Sequence, residues 1–194
     1  MNPPDPALLR LVEPLRARAV SAILDALAQE LDTDADVDPE PEIRNATGMV
    51  ARSGPLNLPR RGDLAVTRDG RTLLRRIESG PPPTGKSLVA QHSGGFEAEI
   101  EPFRWDAAEM TVVAKQAQPN WAPLRRWFLE WFQSRYSEVA PDLYGAVHSL
   151  EGPRRVPGGW AFTIDFGSAP AACMVDLIAA MAETGAERMR IGRE

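Results

Sequence analysis

The sequence predicts an α+β fold: an N-terminal helix, an antiparallel β meander, then an α-β-β-α-β half with one parallel crossover. Three observations predict it. Apolar residues recur at helical spacing over 6–31; β-rich runs separated by Asp-Gly and Gly-Gly fill roughly 45–117; and beyond Pro119 helical periods alternate with short strand-like runs. The division that follows is 1–43 (N-terminal helix and acidic linker), 44–118 (antiparallel β lobe) and 119–194 (α-β-β-α-β lobe), the last two forming one compact unit.

The first helix rests on Leu8, Val12, Leu15, Ala19, Ile23, Ala26 and Leu27. Pro14 lacks an N–H and crowds the preceding turn, so the spacing predicts a short helix followed by a longer one, or a kink. Next comes DTDADVDPEPE, residues 32–42, with an acid at every second position. A calcium loop starting at Asp32 needs Gly sixth and Glu twelfth, where Val37 and Ile43 stand. Without the tight turn the loop cannot close on an ion, and a solvated acidic linker is expected.

DLAVTRDGRTLLRRIES reads as a hairpin turning at Asp69-Gly70, the pair a type I′ turn prefers. KSLVAQHSGGFEAEIEPF reads as a second, turning at 93–95. Its Phe96, Ala98 and Ile100 alternate with Glu97, Glu99 and Glu101, as in a strand with one wet face. MTVVAKQ is expected as a strand, although its DAAE leader also fits a capping box. In NWAPLRRWFLEWFQSRY, Asn120 is a candidate cap and Pro123 suits a first turn. Leu124, Trp127, Phe128, Trp131 and Phe132 share its apolar face. YGAVHSL and WAFTIDF are expected as strands joined by the loop EGPRRVPGG. A helix capped by Ser168 and stopped by Gly185 follows, then a last strand, ERMRIG.

Composition narrows function. With 43% apolar and 25% charged residues the chain of 194 reads as a soluble domain, with no run long enough for a membrane span. The opening MNPPDPALLR is unlike a secretory leader, and one cysteine, Cys173, provides no internal disulfide; a cytoplasmic setting is expected. The net charge of −5 argues against nucleic acid as partner. The charge is uneven: residues 1–43 are acidic and residues 52–86 basic.

Candidate chemistry is sparse. SGPPPTGKSL matches the phosphate-loop pattern at Gly80, Gly85, Lys86 and Ser87. Such a loop must follow a buried parallel strand and open a helix, yet the run before it carries arginines and Pro81, Pro82 and Pro83 donate no N–H. A second-site aspartate, Asp165, ends WAFTID, but Thr163 interrupts that apolar run. The loop is therefore expected to join two strands of one antiparallel hairpin, leaving Lys86 exposed. Cys173 with His92 or His148 could form a nucleophile and base, but it lies beside the apolar face of Met174, Leu177, Ile178 and Met181 and is expected as a small buried apolar residue; two histidines and one cysteine, far apart, offer no metal-ligand spacing. No catalytic residue and no cofactor is assigned.

The leading expectation is a non-catalytic binding or adaptor protein that contacts a protein partner, or its own copies, through Trp121, Arg125, Trp127 and Trp131, since tryptophan and arginine concentrate at interface centres. One alternative is a nucleotide-binding enzyme using the 80–87 loop. The other is an accessory factor that holds an anionic partner through Arg60, Arg61, Arg68, Arg71, Arg75 and Arg76, provided these converge on one face. A small-molecule ligand is not legible.

Overall fold

Helix α1 (Pro6–Leu31) touches both cores of the protein and so sets its plan. The computed structural model describes residues 6–82, 84–92, 95–133 and 142–192. Leu8, Val12, Leu15 and Ala19, from the first half of α1, join the large core, while Val20, Ile23, Ala26 and Leu27 join a smaller one with Leu64, Val66 and Leu143. The helix is continuous through Pro14, correcting the expected break. Pro14 and Arg10, whose carbonyl loses its partner, both lie on the exposed side, where water can satisfy the freed group.

The acidic segment is not a linker throughout. It contains β1 (Asp36–Pro39), which pairs antiparallel with β4 (Leu64–Arg68). Asp36 and Asp38 face water and Val37 leans on the small core, so acids at every second position mark a strand with one wet face. Just beyond β1, Glu40 is fully buried. Two short strands, β2 (Arg52–Ser53) and β3 (Leu58–Pro59), form a ribbon of their own. Strand β5 (Arg71–Arg75) completes the sheet β1-β4-β5 through the expected hairpin. Asp69 and Gly70 both adopt positive φ, 50° and 71°, as a type I′ turn requires.

The larger sheet has the order β6-β7-β11-β8-β10-β9. Its members are β6 (Leu88–His92), β7 (Phe96–Ile100), β8 (Ala108–Ala114), β9 (Ser149–Val156), β10 (Gly159–Asp165) and β11 (Ala186–Gly192). Phe96, Ala98 and Ile100 are buried on the inner face of β7, as their alternation predicts. DAAE leads into β8 rather than opening a helix. The β9–β10 hairpin is tighter than expected: EGPRRV is strand, the turn is Pro157-Gly158, and residues 144–148 run irregularly ahead of it. β10 and β11 run the same way with β8 between them, both antiparallel to it, and the hydrogen-bonded parallel partner of β11 is β7. Strands from 44–118 and from 119–194 thus share one sheet.

Helices α2 (Ala122–Phe132) and α3 (Ala172–Glu183) pack against each other, with Trp127 Nε1 donating to the carbonyl of Cys173 at 2.9 Å. Asn120 accepts from Ala122 N, near the capping role foreseen. Ser168 is not the cap of α3, which begins after Ala171 without a side-chain cap; its hydroxyl serves Glu40 instead. No helix of the described residues is long and apolar enough to cross a membrane.

Trp127 is buried, hydrogen-bonded and edge-on to Phe166. Trp127→Ala should cost about 3–5 kcal/mol, read as a lower urea midpoint at unchanged slope.

Candidate functional site

A buried imidazole surrounded by carboxylates lies where the two sheets meet, and a run of backbone bonds puts it there. Glu40 N donates to the carbonyl of Asp63 (2.8 Å), Arg61 N to that of His148 (2.9 Å), and His148 N to that of Asp165 (2.9 Å). Segments 40–43, 60–63, 148 and 165 therefore sit side by side. Glu40 and Asp63 come from the edge of the small sheet; His148 and Asp165 come from the start of β9 and the end of β10.

His148 is 0% exposed. Its Nε2 lies 2.7 Å from Glu40 Oε1, and its Nδ1 lies 3.0 Å from Asp63 Oδ1 and 3.8 Å from Asp165 Oδ2. Burial pulls the imidazole pKa down, but the charge of Asp165 and the hydrogen bonds to Asp63 and Glu40 outweigh it and push it up to about 10. A doubly protonated ring thus donates from both nitrogens. Gly167 makes room for it: a Cβ there would fall 2.2 Å from His148 Cδ2, and its φ of +52° favours glycine.

Both carboxylate oxygens of Glu40 accept hydrogen bonds. Besides His148 it accepts from Ser168 Oγ (2.5 Å), Ser168 N (3.2 Å) and Tyr144 N. Burial alone would raise its pKa, yet these donors hold it below the ordinary carboxylate value. Asp63 accepts from Ile77 N (2.6 Å) through its second oxygen. Asp165 differs. Gly167 N donates to Oδ1 (2.9 Å), whereas Oδ2 accepts no hydrogen bond from the described residues, and the side chain keeps 18% exposure. Burial, offset in part by His148, pushes its carboxyl up to about 6.

Asp165 lines a cavity of about 260 Å³ together with, among others, Arg60, Arg61, Arg76, Asp63 and Asp106. Arg61 is nearly buried, packed against the rings of Phe132 and Tyr144 at 4.7 and 5.1 Å, and donates to the carbonyls of Glu40 and Phe132. Arg60 pairs with Glu151 and Arg104 with Asp106, while Arg76 is exposed and makes no ion pair among the described residues.

Of the residues singled out in the sequence, Trp127 is buried and Trp121 and Trp131 are half-buried against the large core, Trp121 edge-on to Trp160 and Phe162. Arg125 is exposed and donates to the carbonyl of Leu56. The four do not form an open aromatic patch, because the wide apolar face of α2 is covered by α3 and by the β10 aromatics. The 80–87 segment joins β5 of one sheet to β6 of the other, correcting the expected hairpin connection. β5 is antiparallel to its neighbour, and β6 begins directly after Ser87 where a phosphate loop needs a helix. Lys86 is exposed as foreseen, and so is Ser87; Pro83 lies outside the described residues. Cys173 is buried, its thiol pushed well above its ordinary pKa by burial. No protein-family model, curated protein or solved structure matches the chain.

Sequence reading missed Glu40 and Asp63, weighed His148 only beside Cys173 and set it aside, and took Asp165 only as a possible adjunct to the phosphate loop. One signal was present: His148 stands in GAVHSL, an apolar run, and a buried histidine needs partners.

A histidine whose pKa is raised on folding stabilises the protein fully below its unfolded pKa, and that gain is lost as pH rises through the folded value. The stability advantage of the wild type over His148→Gln should therefore shrink steadily from pH 6.5 towards pH 10. Urea unfolding in chelator-containing buffers across that range reads it; an advantage that grows with pH would contradict a caged imidazolium.

Proposed function

We propose that the protein binds a small anionic ligand, one bearing a phosphate or carboxylate group, in the cavity beside Asp165. The observation that carries this reading is convergence: two arginine pairs, Arg60-Arg61 and Arg75-Arg76, line one opening of about 260 Å³, with Arg60 also held by Glu151 and Arg75 by Glu30. Four of the six arginines of the basic segment thus meet here, which supports an anion site, while Arg68 and Arg71 line a separate depression. The volume is a little below the ~300–1,000 Å³ usual for drug-sized ligands, which suits a small metabolite over a macromolecule. Arg61 supplies a guanidinium held flat between two rings, and Arg76 a cation with no competing carboxylate among the described residues. The role is binding: His148 is fully buried with a carboxylate at each nitrogen, a setting that anchors charge and keeps the ring from acting as general acid or base on the anion itself. A cytoplasmic setting fits the lone, buried cysteine.

Isothermal titration with inorganic phosphate and with small dicarboxylates tests it. Arg76→Ala should weaken binding at least about tenfold, the scale of one charge-assisted hydrogen bond, without altering the far-ultraviolet circular dichroism. Equal affinity in wild type and variant would remove the reading.

A contact role, with a second copy of the chain as partner, has one observation in its favour, and it lies on β5 rather than α2. β5 is an outer strand with every residue exposed, including Leu73 at 70% and Leu74 at 54%. An uncovered apolar edge is a template for strand addition. On this reading light scattering finds a dimer that Leu73→Lys dissociates; a monomeric wild type at high concentration excludes it.

A further inference from the structure

We infer that Asp63, His148 and Asp165 form a binding site for a divalent transition-metal ion. The inference deepens the anion-site reading, because the ion would sit at the floor of the same cavity.

Ligand geometry comes first. His148 Nδ1, a carboxylate oxygen of Asp63 and one of Asp165 all lie within 4.8 Å of one another, with Nδ1 at 3.0 Å from Asp63 Oδ1 and 3.8 Å from Asp165 Oδ2. Ligand atoms around a tetrahedral ion at about 2.0–2.2 Å stand roughly 3.3–3.6 Å apart, so both Nδ1 distances are within a few tenths of an ångström of that spacing, and the two aspartate oxygens, within 4.8 Å of each other, close the rest on binding.

The far side of the imidazole is built as a metal-bound histidine requires. Such a histidine gives its other N–H to a carboxylate, which fixes ring orientation and makes the free nitrogen a better donor. Glu40 does this at Nε2, and it is itself locked by Ser168 and Tyr144. Gly167 lets the ring sit against the backbone with its Nδ1 edge turned to Asp63 and Asp165.

Charge supplies an independent reason. Three carboxylates surround one imidazole, and no protonation state of that ring balances them. Buried charges in proteins are paired or bound to metal. Arg61, beside the trio, donates to the carbonyls of Glu40 and Phe132 and lies 3.8 Å from Glu42. A dication offsets the excess and engages Asp165 Oδ2, the oxygen that accepts no hydrogen bond among the described residues.

Binding is a simple exchange: the ion takes the Nδ1 lone pair and one oxygen from each aspartate, and the Nδ1 proton leaves to solvent. The remaining coordination position opens towards Arg61 and Arg76, where a water or an oxygen of the anionic ligand completes the shell. One imidazole with two carboxylates favours Zn²⁺ or its first-row neighbours over Mg²⁺.

Protein stripped with EDTA should bind one equivalent of Zn²⁺ in isothermal titration, with proton release seen as a heat that depends on the buffer. Co²⁺ in place of Zn²⁺ should give visible absorption bands. Asp165→Asn should lower Zn²⁺ affinity at least about tenfold, and Glu40→Gln by roughly 10–100-fold, with circular dichroism unchanged. Asp36→Asn, an exposed acid on β1, should leave the affinity as it was. Failure of the folded wild type to bind Zn²⁺ overturns the site, as does full affinity in both Asp165→Asn and Asp63→Asn. Phosphate titrations with and without Zn²⁺ separate the two readings. Phosphate binding without any Zn²⁺ binding sinks the metal site alone, and Zn²⁺ binding that Asp165→Asn abolishes, without phosphate binding, sustains the metal site and sinks the anion reading.

Discussion

The buried pair of Glu40 and His148 fastens the small sheet to the large one. Glu40 arrives from the strand edge of β1 and His148 from the approach to β9, and each is fully buried only because the other sheet covers it. Neither charge is tolerable alone: removing one partner of a buried pair leaves an uncompensated ion and costs about 3–5 kcal/mol. The pair therefore acts less as a net source of stability than as a condition on geometry. Only one docking of the two sheets satisfies Glu40, which needs donors from His148, Ser168 and Tyr144 together.

α1 meets the same demand from the apolar side. Its two halves belong to two hydrophobic clusters, so the helix ties both sheets along one axis while the ion cluster ties them across it. A further ionic contact reinforces the join, since the buried Glu30 at the end of α1 receives Arg68 and Arg75 from the β4–β5 hairpin. The cavity lies at this junction because two curved sheets meeting at an edge leave a space that neither can fill, and the residues around it are polar because the junction is where the charges converge.

Local patterns carried the parts of the fold that depend on local physics. Asp69-Gly70 marked its turn because both residues must take positive φ, and Phe96, Ala98 and Ile100 marked their face because strands alternate. The acidic run was misjudged for a physical reason: acids at every second position describe both a solvated chain and a strand with one wet face. Only the partner strand β4, more than 20 residues on, decides between them. The site was hidden for the same reason. Glu40, Asp63, His148 and Asp165 are separated by up to 125 residues and share no motif, and their meeting is a property of how the sheets dock. The phosphate-loop match failed in the opposite way, since its letters are local and its required strand and helix are not.

The strand order β6-β7-β11-β8-β10-β9 has a consequence in time. β11, the last strand in chain order, occupies the slot between β7 and β8, and those two cannot pair across it. Until residues 186–192 arrive, the sheet exists as two separate hairpin-bearing pieces with open inner edges, one ending at β7 and the other beginning at β8. A chain growing from a ribosome exposes those edges for as long as β11 remains in the tunnel. Completion of the sheet, and with it the burial of Met189 and Ile191, is a late and non-local event that makes this a slow-folding topology for its size.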